Sequence, residues 1–236
     1  MDETLSPQAS SSAAARRDAK RLLRLARTGA LATLDGGLPL TTLVGVASDW
    51  DGAPLFLISD LSHHTRNLDA DPRASLLLTS EGGRGDPLNQ PRLTLNGRVV
   101  RREGRDGHDR YVRRNPKSKL YIGFADMSLR RLEVEVVHFN GGFGRADALT
   151  WADISTPLAP PALVGAQDEL LARVAALDDA ALAKRAGAPG VWKPVGLDAE
   201  GLDLGRRGEA ARVDFVEAAS DAATWWDRWV EGEGGG

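Results

Sequence analysis

The densest run of side chains able to do chemistry is Ser59-Asp60-Leu61-Ser62-His63-His64-Thr65-Arg66-Asn67-Leu68. It brings hydroxyls, two imidazoles, a guanidinium and a carboxamide into one short stretch, where a strand gives way to a helix. The first amide N–H groups of a helix lack an intrahelical acceptor, and the helix dipole makes that end partly positive. A phosphate or carboxylate can dock there. Ser59, His63, His64, Thr65, Arg66 and Asn67 are therefore candidate anion-binding residues. The competing reading is ordinary capping by Ser62, with solvated neighbours.

Two further places invite a ligand. Gly141-Gly142-Phe143-Gly144-Arg145 follows a long strand, and its glycines let the backbone approach another group closely; a plain turn is the alternative. Arg92 stands on a strand after a Gly-rich loop. On an inward face it needs an anionic partner, and on an outward face it is solvated.

Other chemistries lack their residues. There is no cysteine, which removes disulfides, thiolate metal sites and cysteine nucleophiles. The four histidines, His63, His64, His108 and His138, form no HExxH pair, so no side-chain metal site is expected. No GxSxG elbow or GxxxxGK[ST] loop occurs, and Asp147 stands where a GxGxxG run would need its last glycine. No general base stands out, and no catalytic residue is assigned.

The elements that must hold these residues follow from periodicity. Ala13 to Arg27 places Ala15, Ala19, Leu22, Leu23 and Ala26 on one helical face and Arg and Lys on the other. Six strands follow: Ala30–Leu34, Leu40–Ala47, Pro54–Ser59, Ala74–Ser80, Arg92–Arg102 and Leu129–Phe139. The turns Asp35-Gly36-Gly37 and Asp49-Trp50-Asp51-Gly52 suggest two successive hairpins in a meander. Gly97 marks a bulge or bend. Helices are expected over Ser62–Ala70 and Arg105–Arg114. The fold class is thus α+β, mainly β: a closed six-stranded antiparallel barrel with flanking helices.

Pro and Ala between 153 and 165 read as a linker. Beyond it, residues 166–231 read as a small α/β domain. Its helices lie over Gln167–Leu177, Ala180–Ala186 and Ser220–Val230, and its strands over Pro194–Leu197 and Ala211–Val216. Trp226 and Trp229, three apart, give the last helix an aromatic face, for the core or for an interface. Residues 1–12 and 232–236 are expected to be disordered tails, and 13–152 to form the barrel domain.

Charge is uneven. Residues 1–150 hold 22 Lys and Arg against 18 Asp and Glu, and residues 151–236 hold 8 against 15. Arg98 to Lys119 carries nine basic residues and three acidic ones, as a solvated face or a surface for an anion. The acidic second half argues against a nucleic-acid binder. No run approaches the length of a membrane span, and the N-terminus has no signal-peptide pattern, so a cytoplasmic location is expected.

GALATLD (29–35), PLFLISDLSHHTRNLDADPRASLLL (54–78), GDPLNQPRLTLNG (85–97) and VHFNGGFGRA (137–146) together resemble the flavin-binding split-barrel superfamily of pyridoxamine 5′-phosphate oxidases. The nearer resemblance is to its haem-utilisation branch. GLDAEGLDL (196–204) and ARVDF (211–215) are similar to the small α/β domain that this branch appends. The resemblance implies a split barrel that forms a homodimer, with flavin mononucleotide (FMN) bound at the subunit interface and a small-molecule substrate. It aligns His63 and His64 with the basic pair that grips the FMN phosphate, and Arg92 with a strand glutamine. It implies that Gly142, Phe143, Gly144 and Arg145 line the pocket. A flavin-dependent oxidoreductase is the first function implied. The haem branch implies haem as the alternative cofactor, with an axial histidine from the C-terminal domain, yet no histidine follows His138. A non-catalytic binding protein linked to tetrapyrrole synthesis is the third.

Overall fold

The structure, a computed structural model, describes residues 7–80, 86–142 and 146–232. Phe143, Gly144 and Arg145, the tail residues 1–6 and 233–236, and most of the Gly-rich loop at 81–85 lie outside the described residues.

Helix α1 (Pro7–Leu25) leads into strand β1 (Thr28–Asp35), which turns back as β2 (Leu38–Gly45). Gly36 and Gly37 make that turn with φ of +57° and +92°, the left-handed pair that a two-residue hairpin of this hand demands. Then follow β3 (Ala47–Ser48), β4 (Pro54–Ser59), α2 (His63–Ala70), β5 (Arg73–Thr79), β6 (Arg92–Arg101), α3 (Arg105–Arg114), β7 (Met127–Asn140) and β8 (Ala146–Leu149). These strands form one antiparallel sheet in the order β2-β1-β5-β6-β7-β4-β3, with β8 added on β7. The sheet curls so that β2 and β4, near its two ends, approach each other. That is a split barrel.

Two expectations are corrected. The sheet has eight strands rather than six, because β3 and β8 are too short to show a period in the sequence. The two hairpins are not neighbours in a meander: β4 pairs with β7, not with β2. Sequence order alone could not reveal a pairing between residues so far apart along the chain. The expected bulge at Gly97 is present, as a register shift between Asn96 and Gly97 against β7. A Cβ there would sit 1.9 Å from the Glu133 carbonyl oxygen, so no larger residue fits.

The barrel core is built from Leu31, Phe56, Leu76, Leu78, Leu93, Leu95 and Leu132, all fully buried. Each contributes roughly 1.5–3 kcal/mol by leaving water. Helix α1 covers this core with Ala15, Ala19, Leu22, Leu23 and Ala26, the face its spacing specified. The helix starts at Pro7, inside the stretch expected to be disordered.

After the short helix α4 (Trp151–Ile154), residues 155–160 link to α5 (Pro161–Ala175), so the connection is shorter than the sequence suggested. Then come α6 (Asp179–Ala186), β9 (Lys193–Asp198), β10 (Gly201–Arg206), β11 (Glu209–Asp214) and α7 (Ala222–Glu231). The three strands form a second antiparallel sheet, β11-β10-β9. Trp225 and Trp229 stack with ring centroids 6.1 Å apart, fully buried in its core. The buried pair is thus spaced four apart; Trp226 is half-exposed under the Arg173 guanidinium.

The two units are joined by a buried ionic junction. Arg24 of α1 reaches Asp198 at 3.2 Å, and both side chains are fully buried. Arg212 makes two 2.9 Å bonds to Asp198 and a third to Asp203. Arg24 also donates to the Asp49 and Trp50 carbonyls and to Thr156 Oγ1. Arg110 spans the same seam, donating to Ser48 and Leu197 carbonyls and to Gln167. Arg114 caps the end of α1 through the Arg24 and Leu25 carbonyls. Part of the basic run at 98–119 is therefore neither a solvated face nor an anion-binding surface, but mortar between the two units.

Candidate functional site

The turn between β4 and α2 is organised around one carbonyl. Ser59 O accepts from Ser62 N (3.0 Å), Ser62 Oγ (2.7 Å) and Thr65 Oγ1 (2.7 Å). Ser59 Oγ donates to Asp126 (2.6 Å) and accepts from Leu61 N (3.1 Å). The Ser62 hydroxyl is thereby held by the Ser59 carbonyl and by Thr65 Oγ1 at 2.7 Å, and it makes no bond to the helix amides. It stands at the N-cap position of α2, yet no side chain caps the first amides of the helix. The reading of ordinary capping by Ser62 is corrected. What remains is a helix N-terminus whose donors are left for solvent or a ligand.

The named side chains divide by environment. Thr65 is fully buried and Asn67 nearly so; Asn67 donates to Thr33 Oγ1 at 3.1 Å and ties α2 to β1. Neither side chain faces solvent. His63 is exposed, with Nε2 3.0 Å from Asp35 Oδ2. His64 Nδ1 lies 3.3 Å from Thr42 Oγ1 on β2, while its Nε2 is shielded from solvent and makes no hydrogen bond. Arg66 is exposed and donates only to the Leu61 carbonyl, at 3.3 Å.

Electrostatics make the turn less cationic than its composition suggests. Burial, with repulsion from His63, lowers the His64 pKa below the ordinary imidazole value, so its neutral form is favoured. The nearby guanidiniums of Arg101 and Arg130 are committed to Asp60, and Arg130 also to Asp69 at 3.0 Å. The Ser128 hydroxyl and these arginines hold the Asp60 carboxyl below its usual range. Arg66 is the cation of the turn that faces water.

Arg92 and Gly142 lie elsewhere. Arg92 opens β6, pairs across the sheet with Asn140, and donates to the Leu88 carbonyl at 2.8 Å. Gly142 has φ of +115° and passes so close to Asn89 that a Cβ would lie 2.7 Å from its carbonyl oxygen. The expected close approach of this loop is therefore to the chain's own backbone. Ser59 pairs with Met127 at one end of β7, and Arg92 with Asn140 at the other. Ser59 and Arg92 thus stand toward opposite ends of that strand, and no contact among the described residues joins Arg92 or Gly142 to the turn.

The sequence reading passed over the outer face of the sheet. Leu43, Ala30, Leu77, Thr94 and His138 register side by side across β2, β1, β5, β6 and β7. Leu43 is 77% exposed and Val136, in the next row, 45%. Leu43, Leu77 and Val136 thus put apolar side chains among polar ones on a sheet face open to water. Its signal was present in the sequence: Leu77 breaks the alternation of β5 between two buried leucines, which places an apolar side chain on each face.

Comparison with known proteins places this geometry. Residues 16–141 match the family model of pyridoxamine 5′-phosphate oxidase, over more than half of the chain. A protein of unknown function from Agrobacterium tumefaciens is 35% identical in sequence, with a TM-score of 0.81, over 98% of this chain and all of that one. A heme binding protein from Mycobacterium smegmatis is 29% identical, with a TM-score of 0.57, over 92% of this chain and 95% of that one. A non-canonical heme oxygenase of Arabidopsis thaliana chloroplasts is 33% identical over 115 residues, 47% of this chain and 34% of that protein. The chain thus spans about a third of that relative's length. Split barrel and family match agree: the chain belongs to the pyridoxamine 5′-phosphate oxidase family.

Proposed function

We propose that this protein acts as a homodimer that binds an anionic, planar redox cofactor, haem in the first place and FMN in the second. The observation that carries the reading is the uncapped N-terminus of α2, with Arg66 beside it. Amides there suit the carboxylate arms of a porphyrin or a flavin phosphate. Haem is preferred on the donor set. A phosphate carrying up to two negative charges favours fixed positive charge around it, whereas this turn offers a neutral-leaning His64 and a His63 engaged with Asp35. The named relatives also favour haem. The oxidase-family match is what keeps FMN as the second reading.

The homodimer follows from two features. The exposed strip around Leu43, Leu77 and Val136 is the kind of surface that a second copy covers. The family resemblance, which sets the cofactor at a subunit interface, supports the same reading. His138 is the exposed imidazole on that outer strip and would be available to ligate iron. Haem would supply iron redox chemistry, and FMN electron or hydride transfer. The chain's own part is to anchor the acidic arms, cover the ring with this sheet face and exclude water. A small organic substrate and an oxidoreductase activity belong to this proposal, as does a cytoplasmic setting. No helix among the described residues is long and apolar enough to cross a membrane.

The test is absorbance titration of the full chain with hemin and, separately, with FMN, combined with sedimentation. A saturable Soret shift on a dimer, weakened by His138→Ala, is expected. A monomer that gives no saturable change with either cofactor would refute the proposal.

A further inference from the structure

A cavity of the described residues shares no residue with the α2 turn or the Gly141–Arg145 loop, and borders Arg92 only through its neighbours Pro91 and Thr79. It encloses about 610 Å³, a usual size for a small-molecule site, between α1, the ends of β5 and β6, and the β10–β11 hairpin. Four separate stretches of chain meet there, three from the barrel unit and one from the C-terminal sheet.

Its floor is apolar. Leu22 and Ala26 come from the face of α1 that packs on the barrel core, Leu25 is half-buried beside them, and Ala210 faces them from β11. Its rim is charged, and the charges are not equally committed. Glu209 is held by Arg206, with Nη2 2.8 Å and Nε 3.1 Å from the same carboxylate oxygen. Asp18 is also engaged. Arg21 and Arg27 have no acidic partner among the described residues, and Arg21 is exposed. Arg27 extends over the hairpin turn, its Nη1 3.1 Å from where a Cβ on Gly208 would stand. Among the described residues, the acids on this rim are therefore engaged, while the two guanidiniums have no acidic partner.

An apolar floor below these two guanidiniums selects an amphipathic guest. The apolar body leaves water for the floor, and a carboxylate receives charge-assisted hydrogen bonds at the rim. We infer that this interdomain cavity is a second binding site, separate from the cofactor site, for an organic molecule with an apolar body and a terminal carboxylate. Because the walls come from both units, a bound guest would also brace the β10–β11 hairpin against α1.

Dodecanoate is a suitable probe, with its methyl ester as the uncharged control. Titration of the full chain is followed by methyl and amide NMR shifts. Saturable binding of dodecanoate is expected, with shifts centred on Leu22, Leu25 and Ala210. The ester should bind at least tenfold more weakly. Arg21→Gln with Arg27→Gln, both surface changes compatible with folding, should weaken dodecanoate at least tenfold. Ala210→Trp, which fills the cavity, should abolish its binding, and Arg66→Ala at the α2 turn should leave it unchanged. No saturable binding to the unaltered chain would overturn the inference. So would equal affinity for acid and ester, or full affinity in the double arginine variant.

Discussion

The junction around Asp198 and the turn before α2 use the same residue types to opposite ends. At the junction, Arg24, Arg212 and Asp198 are sealed from water, with four hydrogen bonds or ion pairs among Asp198, Asp203 and their arginines. Burial alone would raise the Asp198 pKa, but the Arg212 and Arg24 charges outweigh it and hold the carboxyl well below its usual range. At the turn, His63 and Arg66 face solvent, and the first amides of α2 have no side-chain cap. A buried network whose charges are already paired by the fold is structure. An exposed, unsaturated one costs little to keep and has donors left to give. The lesson is that charge marks a binding site only where its partners have not already been supplied by the fold.

The largest effect should come from breaking the sealed side. Asp198→Ala leaves the buried Arg24 guanidinium without its counter-charge and takes one of three carboxylates from Arg212, and should destabilise the chain by about 3–5 kcal/mol in urea denaturation. Arg66→Ala, the matching deletion at the turn, should change stability by less than about 0.5 kcal/mol. If the two variants unfold alike, the contrast between the regions is wrong.

How much of this was legible beforehand follows the same divide. The bounds of β4 and α3 could be read to the residue, because an apolar run between turn signals and an amphipathic helical period are local. Gly97 betrayed its bulge. Arg24 did not betray its burial: on a helix with basic neighbours it reads as part of the wet face, and its partner Asp198 lies in the other unit. Strand β10 was missed because glycines at 201 and 205 and Asp203 read as turn residues, although Leu202 and Leu204 already carried the period of two. The turn at 59–67 was found from composition, but composition could not say that Ser62 bonds back to Ser59 or that Asn67 faces Thr33. Those depend on where β1 and β7 run, which is a property of the whole sheet.

A smaller, pH-dependent effect sharpens the comparison from within the turn. His64 has its folded pKa below 6.5, through burial and then through His63. As pH falls, the unfolded chain takes up that proton first. The stability tied to neutral His64 is present above about pH 6.5. It is lost as pH falls from there through the lower folded value. Chemical denaturation across pH 7 to 5 should show this modest decline, and His64→Gln should flatten it. Asp198 titrates far below this window, so the junction adds no slope there.

The central claim, that the open end of α2 receives an anion, is tested most directly by closing it from within. Ser62→Asp places a carboxylate at the N-cap, where it can accept from the first amides and repel an incoming acid. Hemin and FMN affinities of this variant should be measured beside those of the unaltered chain, with thermal unfolding as the control for the fold. The account predicts at least a tenfold loss of affinity for whichever cofactor binds, at an unchanged or slightly raised unfolding temperature. Undiminished affinity in a well-folded Ser62→Asp chain would contradict it.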